Sequence, residues 1–577
     1  MIIENRKTRN QKLSPSENYT LDSDQSLLTK SIWTPWARRI ALVLLLLYFG
    51  FVYRGVMFTT DGVTERDGFY HARYSHMLPE RGLSRELPWM QFADWKDHFC
   101  DKDFLYHIYL APFTTDAAEP LPGAKYGTLL LLLATLGVMY WILRKWDVPF
   151  ALLWVAFAGV GSAHFLNRMF MIRSHCLSVL LMLLATHIIL KRRFWPCFAL
   201  AFIYAWSYSF PVAMLLSACA CETGRVIIDR DWKAAARMPL ATAAGLLAGL
   251  AIHPYSPYSL KSVWMLAEIA RSGVAGSPLE LGTEFRHMSL GAAFTVSIGS
   301  SLAVLAALVG GVLLLSGKVF ESKKLAPETA ALIALATAWF LASLLTFERF
   351  IEYAAPLAFL ALGFVIRDIA APIERFYDLS ETRRMALFAT LFIAVCCATG
   401  LHAWTLELNR ASYETNAKPA LPPRGFARTE QDVKAWFRGR FFDGAAHWMR
   451  TNLKPGTVVA NFYWTDFPEL FYSAPEMRYL VGLDPTLMRL QHPDKALALE
   501  AMRIKEFPDG RSMLGERPID FAELKNLFNT DYTIMRRSFA LKYPDLCDAS
   551  LKKLKTETQH GVIVYQDTES VIYFYKK

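Results

Sequence analysis

Cysteine is scarce and poorly placed for a metal or a staple. Eight occur in 577 residues, most of them inside apolar runs, where a thiol acts as a small hydrophobe. None shows the paired spacing of a zinc site, and Cys396 and Cys397 lie within one apolar run. Cys100 and Cys547 both fall in segments placed outside the cell below, which leaves a disulfide between them open. No internal repeat is visible, which sets aside repeat architectures. Charged residues make up only 20% of the chain, and the apolar runs carry almost none. That scarcity argues against a transporter, which needs charges or broken helices at mid-membrane. No small-residue cleavage site follows the first apolar run, so a signal peptide is not expected.

What is present is apolar and unevenly distributed. Hydrophobic residues make up 53%, aromatics 14%, and mean hydropathy is +0.22. They collect in runs of about 15–25 residues, the length a helix needs to cross about 30 Å of hydrocarbon. The chain reads as a polytopic α-helical membrane protein. Its net charge of +10 is accounted for by Lys and Arg held on the cytoplasmic side, so it does not argue for nucleic acid.

Residues 1–37 are polar and read as a disordered cytoplasmic tail. Arg38 and Arg39 precede the first span, 40–58, and put the N-terminus inside. Further spans follow at about 124–143, 149–164, 176–190, 238–253, 291–316, 327–346, 353–366 and 385–404. The stretch 194–221 is long for one crossing and short for two. A hairpin turning at Tyr208–Pro211 keeps its basic flanks, at 191–193 and 225–237, on one side. That choice gives about eleven spans and a C-terminus outside. From about residue 405 no run is long enough to span. Residues 422–425 read as a linker. Helical patterns at 442–452 and 466–472 alternate with strand-like 458–462, 478–483, 562–565 and 571–575. These predict a soluble C-terminal α/β domain over 405–577, with the membrane domain over 38–404.

The polar chemistry concentrates in the first outer loop, 59–123, where acids outnumber bases. A helix starting at Asp67 puts Asp67, His71, Tyr74 and Leu78 on one face and would lie along the membrane interface. Asp67 reads either as a helix-capping aspartate or as a carboxylate at the mouth of a membrane cavity. There it would take a proton from an acceptor hydroxyl or bind a divalent cation. Asp101-Lys102-Asp103 can flank a cation, while Lys102 meets a phosphate directly. Arg349 stands beside Glu348 where two spans join almost without a loop. It reads either as a snorkelling arginine or as a fork for a lipid-linked phosphate.

The first loop resembles that of the GT-C superfamily of membrane glycosyltransferases. It is most similar to the branch of protein O-mannosyltransferases and aminoarabinose transferases. Asp67-Gly68-Phe69-Tyr70-His71-Ala72-Arg73 resembles the acidic motif that opens that loop. Lys102-Asp103-Phe104-Leu105-Tyr106-His107 stands where a Lys-Pro-Pro-Leu-Tyr-Trp-like stretch closes it, without the prolines. Arg349, Tyr353 and Pro356 resemble a later arginine–tyrosine–proline stretch. The same Asp67 motif is similar to that of oligosaccharyltransferase catalytic subunits, whose metal-binding loop glutamate has a weak counterpart in Glu284. The likeness covers roughly residues 40–404.

The resemblance implies transfer of a sugar from a polyprenyl-phosphate carrier to a protein, lipid or glycan acceptor at the outer face of a bacterial inner membrane. Asp67 would be general base or metal ligand. Asp101 and Asp103 would join it around a Mg or Mn ion. Lys102, Arg349, Arg73 and His107 would hold the donor phosphate, with His71, Tyr353 and Glu284 nearby. The rival readings are a non-catalytic scaffold with an extracytoplasmic binding domain and a flippase or transporter.

Overall fold

The computed structural model describes residues 35–59, 61–274, 287–316, 325–377, 440–502, 505–506, 512–513, 521–536 and 561–575. Glu284, Cys547, the 422–425 linker and the 385–404 span lie outside these.

Two long apolar helices, α1 (Pro35–Met57) and α4 (Pro120–Lys145), bracket the first loop. The loop itself contributes α2 (Asp67–Arg81) and α3 (Phe104–Leu110). The third predicted span is broken into α5 (Ala151–Val160) and α6 (Ala163–Met169), because Ser162 caps a new helix by accepting from the Phe165 N–H. Next come α7 (His175–Leu190), α8 (Phe194–Ala205) and α9 (Val212–Asp229). The break between α8 and α9 falls at the hairpin read from Tyr208–Pro211. After α10 (Trp232–Ala235), the bundle continues through α11 (Arg237–Ala251), α12 (Tyr258–Val274), α13 (Leu290–Ala293), α14 (Ile298–Ser316), α15 (Pro327–Leu345) and α16 (Ile351–Tyr377).

Among the described residues, 6 helices are long and apolar enough to cross a membrane. They include α1, α4, α14 and α15, with α11 and α16 each taken with its neighbouring turn. Shorter apolar helices at α3, α5, α7 and α8 stand beside them. The two ends of the range differ in setting. In α1, 22% of the spanning window is buried; in α16, 83% is. So α16 is the centre post and α1 lies at the rim. On α11, Gly245 and Gly249 face α8, where an added Cβ would come within 2.3 Å of Phe198 O and 2.7 Å of Phe202 O. Small residues let the two backbones close up without a hydrophobic driving force.

The C-terminal part begins with α17 (Asp443–Asn452) and β1 (Val458–Asn461), followed by α18 (Phe467–Ser473) and β2 (Arg478–Tyr479). It continues with α19 (Thr486–Gln491), α20 (Pro493–Ala501), the short strands β3 (Lys505–Glu506) and β4 (Ser512–Met513), and α21 (Phe521–Phe528). The chain then forms β5 (Tyr532–Arg536), β6 (Gly561–Gln566) and β7 (Ser570–Tyr575). A five-stranded sheet runs β2-β1-β5-β7-β6, with β1 parallel to both neighbours and β7 antiparallel to β5 and β6.

This part does not stand apart from the first loop. Loop residues 89–92 lie along the β2 edge. Tyr479 N–H donates to Trp89 O at 2.8 Å, and Gln91 N–H donates back to Tyr479 O at 2.9 Å. Backbone groups on an open sheet edge are thereby paired. Loop residues Tyr70, Tyr74, Trp89 and Met90 share one apolar core with Phe467, Phe471 and Tyr479. The interfacial placement expected for α2 is therefore not what is found. Residues 67–75 are all buried, with Phe69 against Tyr472 and Tyr70 against Phe471. The face that would have entered lipid is covered by α18.

Candidate active site

The site is built on α2. Arg66 is the N-cap residue and Asp67 the first helical residue, with no side-chain cap bond, so capping is not what Asp67 does. Its carboxylate instead meets Arg173, Nη2 to Oδ2 at 2.8 Å. Arg173 also lies 3.7 Å from Glu65. Arg173 comes from the short connection between α6 and α7, and its neighbour Ser174 donates to Asp103 Oδ1 at 2.6 Å. Lys102 Nζ lies 3.7 Å from the other Asp103 oxygen. Arg173 and its sequence neighbour Ser174 thus tie Asp67 to Asp103, and through it to Lys102, joining both motifs of the first loop.

His71, one turn after Asp67, starts a second chain. His107 Nδ1 is 2.9 Å from both Asp101 oxygens, and His107 Nε2 is 2.8 Å from His71 Nδ1. The carboxylate accepts, so His107 Nδ1 carries the proton and Nε2 accepts from His71 Nδ1–H. In the neutral ring His71 Nε2 is then a lone-pair acceptor. Burial, followed by the electrostatic effects of neighbouring His107, Arg173, Lys102 and His175, holds His71 well below the ordinary histidine range.

Lys102 lines a small cavity of about 20 Å³, room for about one water molecule, together with Tyr208, Ser209, His253 and Ser262. Burial pushes His253 down to about 4, against the pull of Asp101, so it is neutral at ordinary pH. Arg349 Nη2 donates to the Tyr208 hydroxyl at 2.7 Å. Arg349 is therefore turned into the bundle, not out to headgroups as snorkelling would have it. Lys102 and Tyr208 line this cavity, and Arg349 is joined to it by its bond to the Tyr208 hydroxyl. Tyr353 lies in the bundle interior, its hydroxyl 2.6 Å from Ser178 and 3.2 Å from Tyr204.

Two expected phosphate ligands lie elsewhere. Both ring nitrogens of His107 are engaged by Asp101 and His71. Arg73 donates to Tyr472 O at 2.9 Å and to Ala117 O at 2.7 Å, with its guanidinium over the Tyr472 ring. It ties α2 to α18. The three expected metal carboxylates are also held apart. Asp67 faces Arg173, Asp101 faces His107, and Asp103 faces Ser174. Among the described residues, no group of three His, Cys, Asp or Glu side chains is arranged to hold a metal ion. As placed, the donor set does not fit a divalent cation.

Arg168, Arg173, Ser174, Tyr208 and Glu352 belong to this region and were not singled out from sequence. The visible signal for the first three was two arginines between the spans at 149–164 and 176–190, a connection that the order of spans puts on the same side as the first loop. Tyr208 had been read only as part of a turn.

No protein-family model matches the chain, and no curated protein matches it. Among solved structures it is similar to ArnT from Cupriavidus metallidurans in the apo state, at 12% identity and TM-score 0.52, over 93% of this chain and 98% of that one. It is also similar to the arabinofuranosyltransferase AftD from mycobacteria, at 13% identity and TM-score 0.52, over 95% of this chain. The match spans 40% of the AftD chain. At such identities the likeness is one of fold.

Proposed function

We propose that this chain, which has the fold of the GT-C membrane glycosyltransferases, is itself one. It transfers a sugar from a polyprenyl-phosphate carrier to an acceptor hydroxyl at the outer face of the membrane. The observation that supports this reading is that Lys102 and Tyr208, the hydrogen-bond partner of Arg349, line one cavity beside the acidic first loop. Lys102 on the cavity wall, with Arg349 bonded to Tyr208 on the same wall, suits the phosphate of a lipid-linked donor, and their charge would stabilise it as it leaves. The acceptor oxygen attacks the anomeric carbon, the bond from that carbon to the phosphate oxygen breaks, and the acceptor's proton passes to Asp67. Arg173 holds the Asp67 carboxylate in place. The scarcity of charge at mid-span favours this over a transporter.

The test is transfer from a polyprenyl-phosphate sugar by purified protein in detergent. Asp67→Asn keeps the shape but loses charge and basicity. It should abolish transfer while expression, insertion and thermal stability stay near those of the unmodified chain. Full activity in the variant would leave Asp67 a structural partner of Arg173 and return the scaffold reading to favour.

A further inference from the structure

Glu352 is fully buried on α16, inside the membrane bundle. An acid there is costly unless every oxygen is satisfied. Arg168, itself buried, meets Oε2 with Nη2 at 2.9 Å and Nε at 3.2 Å. The Tyr208 hydroxyl donates to Oε1 at 3.1 Å. Having given its one proton to Glu352, that hydroxyl can only accept from Arg349, and it does so at 2.7 Å. The direction of each bond is thus fixed from the buried end outwards. Glu352 sets Tyr208, and Tyr208 sets Arg349. Arg168 and Glu352 are buried, whereas Arg349 is only partly so. The string contains two cations and one carboxylate, and Tyr208 lies on the wall of the Lys102 cavity.

We propose that Glu352 is a positioning residue for the donor phosphate. It orients Tyr208, and through it Arg349, so that a preset guanidinium meets the phosphate beside Lys102. This rests on the glycosyltransferase reading given above. A buried salt bridge that served stability alone would have no reason to reach the cavity through a tyrosine hydroxyl, and apolar replacements of such pairs are often neutral or better. Pre-organisation is what the connection adds, since it spares the donor the cost of ordering a long side chain.

The experiment measures binding of decaprenyl phosphate in detergent, and transfer kinetics, for the unmodified chain, Glu352→Gln, Tyr208→Phe and the double variant. Tyr208→Phe cuts the string without disturbing the Arg168–Glu352 pair, so it remains readable if Glu352→Gln does not fold. Each single variant should weaken binding about tenfold, in line with one lost hydrogen bond. The loss should appear in the KM for donor, with KM for acceptor unchanged. The double variant should lose little more than either alone, because both act through one link. Normal binding by Tyr208→Phe, or additive losses in the double variant, overturns the proposal. So does a rise in both KM values together. If the unmodified chain does not bind decaprenyl phosphate, the glycosyltransferase reading itself falls. Binding that ignores Glu352 and Tyr208 removes only the positioning role.

Discussion

Lys102 and Arg349 are the side chains on which the proposed donor site turns, and they are not equivalent. Lys102 reaches the cavity directly and leans on Asp103, whereas Arg349 arrives through Tyr208. A charge-assisted contact contributes about 1.5–3 kcal/mol, so losing either cation should weaken transfer by roughly 10–150-fold. Arg349→Lys should recover only part of the loss, because an ammonium is a point charge and cannot donate to Tyr208 and phosphate in a planar fork. Steady-state kinetics on Lys102→Ala, Arg349→Ala and Arg349→Lys decide this. Full recovery in Arg349→Lys would mean that charge alone matters there.

At the scale of the element, α2 carries both the Asp67 pair and the histidine string, and its burial sets their protonation. His71 stays neutral in the folded protein well below the pH at which a free histidine takes a proton. The unfolded chain binds that proton near pH 6.5, the folded chain does not, and so stability falls as pH drops below about 6.5. In paired melting curves from pH 7.5 to 5, His71→Asn should lose less stability on acidification than the unmodified chain. An unchanged slope would mean that His71 is protonated on the fold. Asp101→Ala should also disturb α2, because it removes the acceptor that fixes the tautomer of His107 and, in turn, His71.

Across the whole molecule, the C-terminal part closes over the first loop and is fastened by buried polar groups. Arg66, next to Asp67, pairs with Asp466 at 2.8 Å, and Arg536 reaches the same oxygen at 2.7 Å. Arg440 and the Tyr472 hydroxyl both engage Glu119. Beneath them, Glu469 is buried and accepts from the Phe441 and Phe442 N–H groups through one oxygen only. Its other oxygen has no hydrogen-bond partner among the described residues, and burial raises its carboxyl to about 7. A raised carboxyl keeps its proton when folded and loses it when unfolded, so stability declines as pH rises from about 4.5 to about 7. The decline amounts to about 3 kcal/mol. Glu469→Gln should abolish it and raise the melting temperature at pH 8; no gain at pH 8 would mean that Glu469 is ionised in place. The proposed topology makes a separate prediction. A reporter fused after Lys577 should read as non-cytoplasmic, and a cytoplasmic signal would overturn the hairpin at Tyr208–Pro211.

Composition and spacing determined that this is a helical membrane protein, where its polar loop lies, and that α2 begins at Asp67, because hydropathy and helix periodicity are local properties. The alternating pattern also located α17, β1, α18, β6 and β7. Sequence alone could not tell whether Asp67 caps a helix or faces a cation, nor that Arg173 is its partner. That pairing depends on how α6 and α7 return to the first loop. The same holds for His107 and Arg73, whose motif positions suggested phosphate and whose packing gives them to Asp101, His71 and α18. Arg349 was legible as a charge at a span junction, but its inward aim required Tyr208 and Glu352 to be folded against it. Long-range contacts of this kind carry no period and no local composition, so only the tertiary structure decided them.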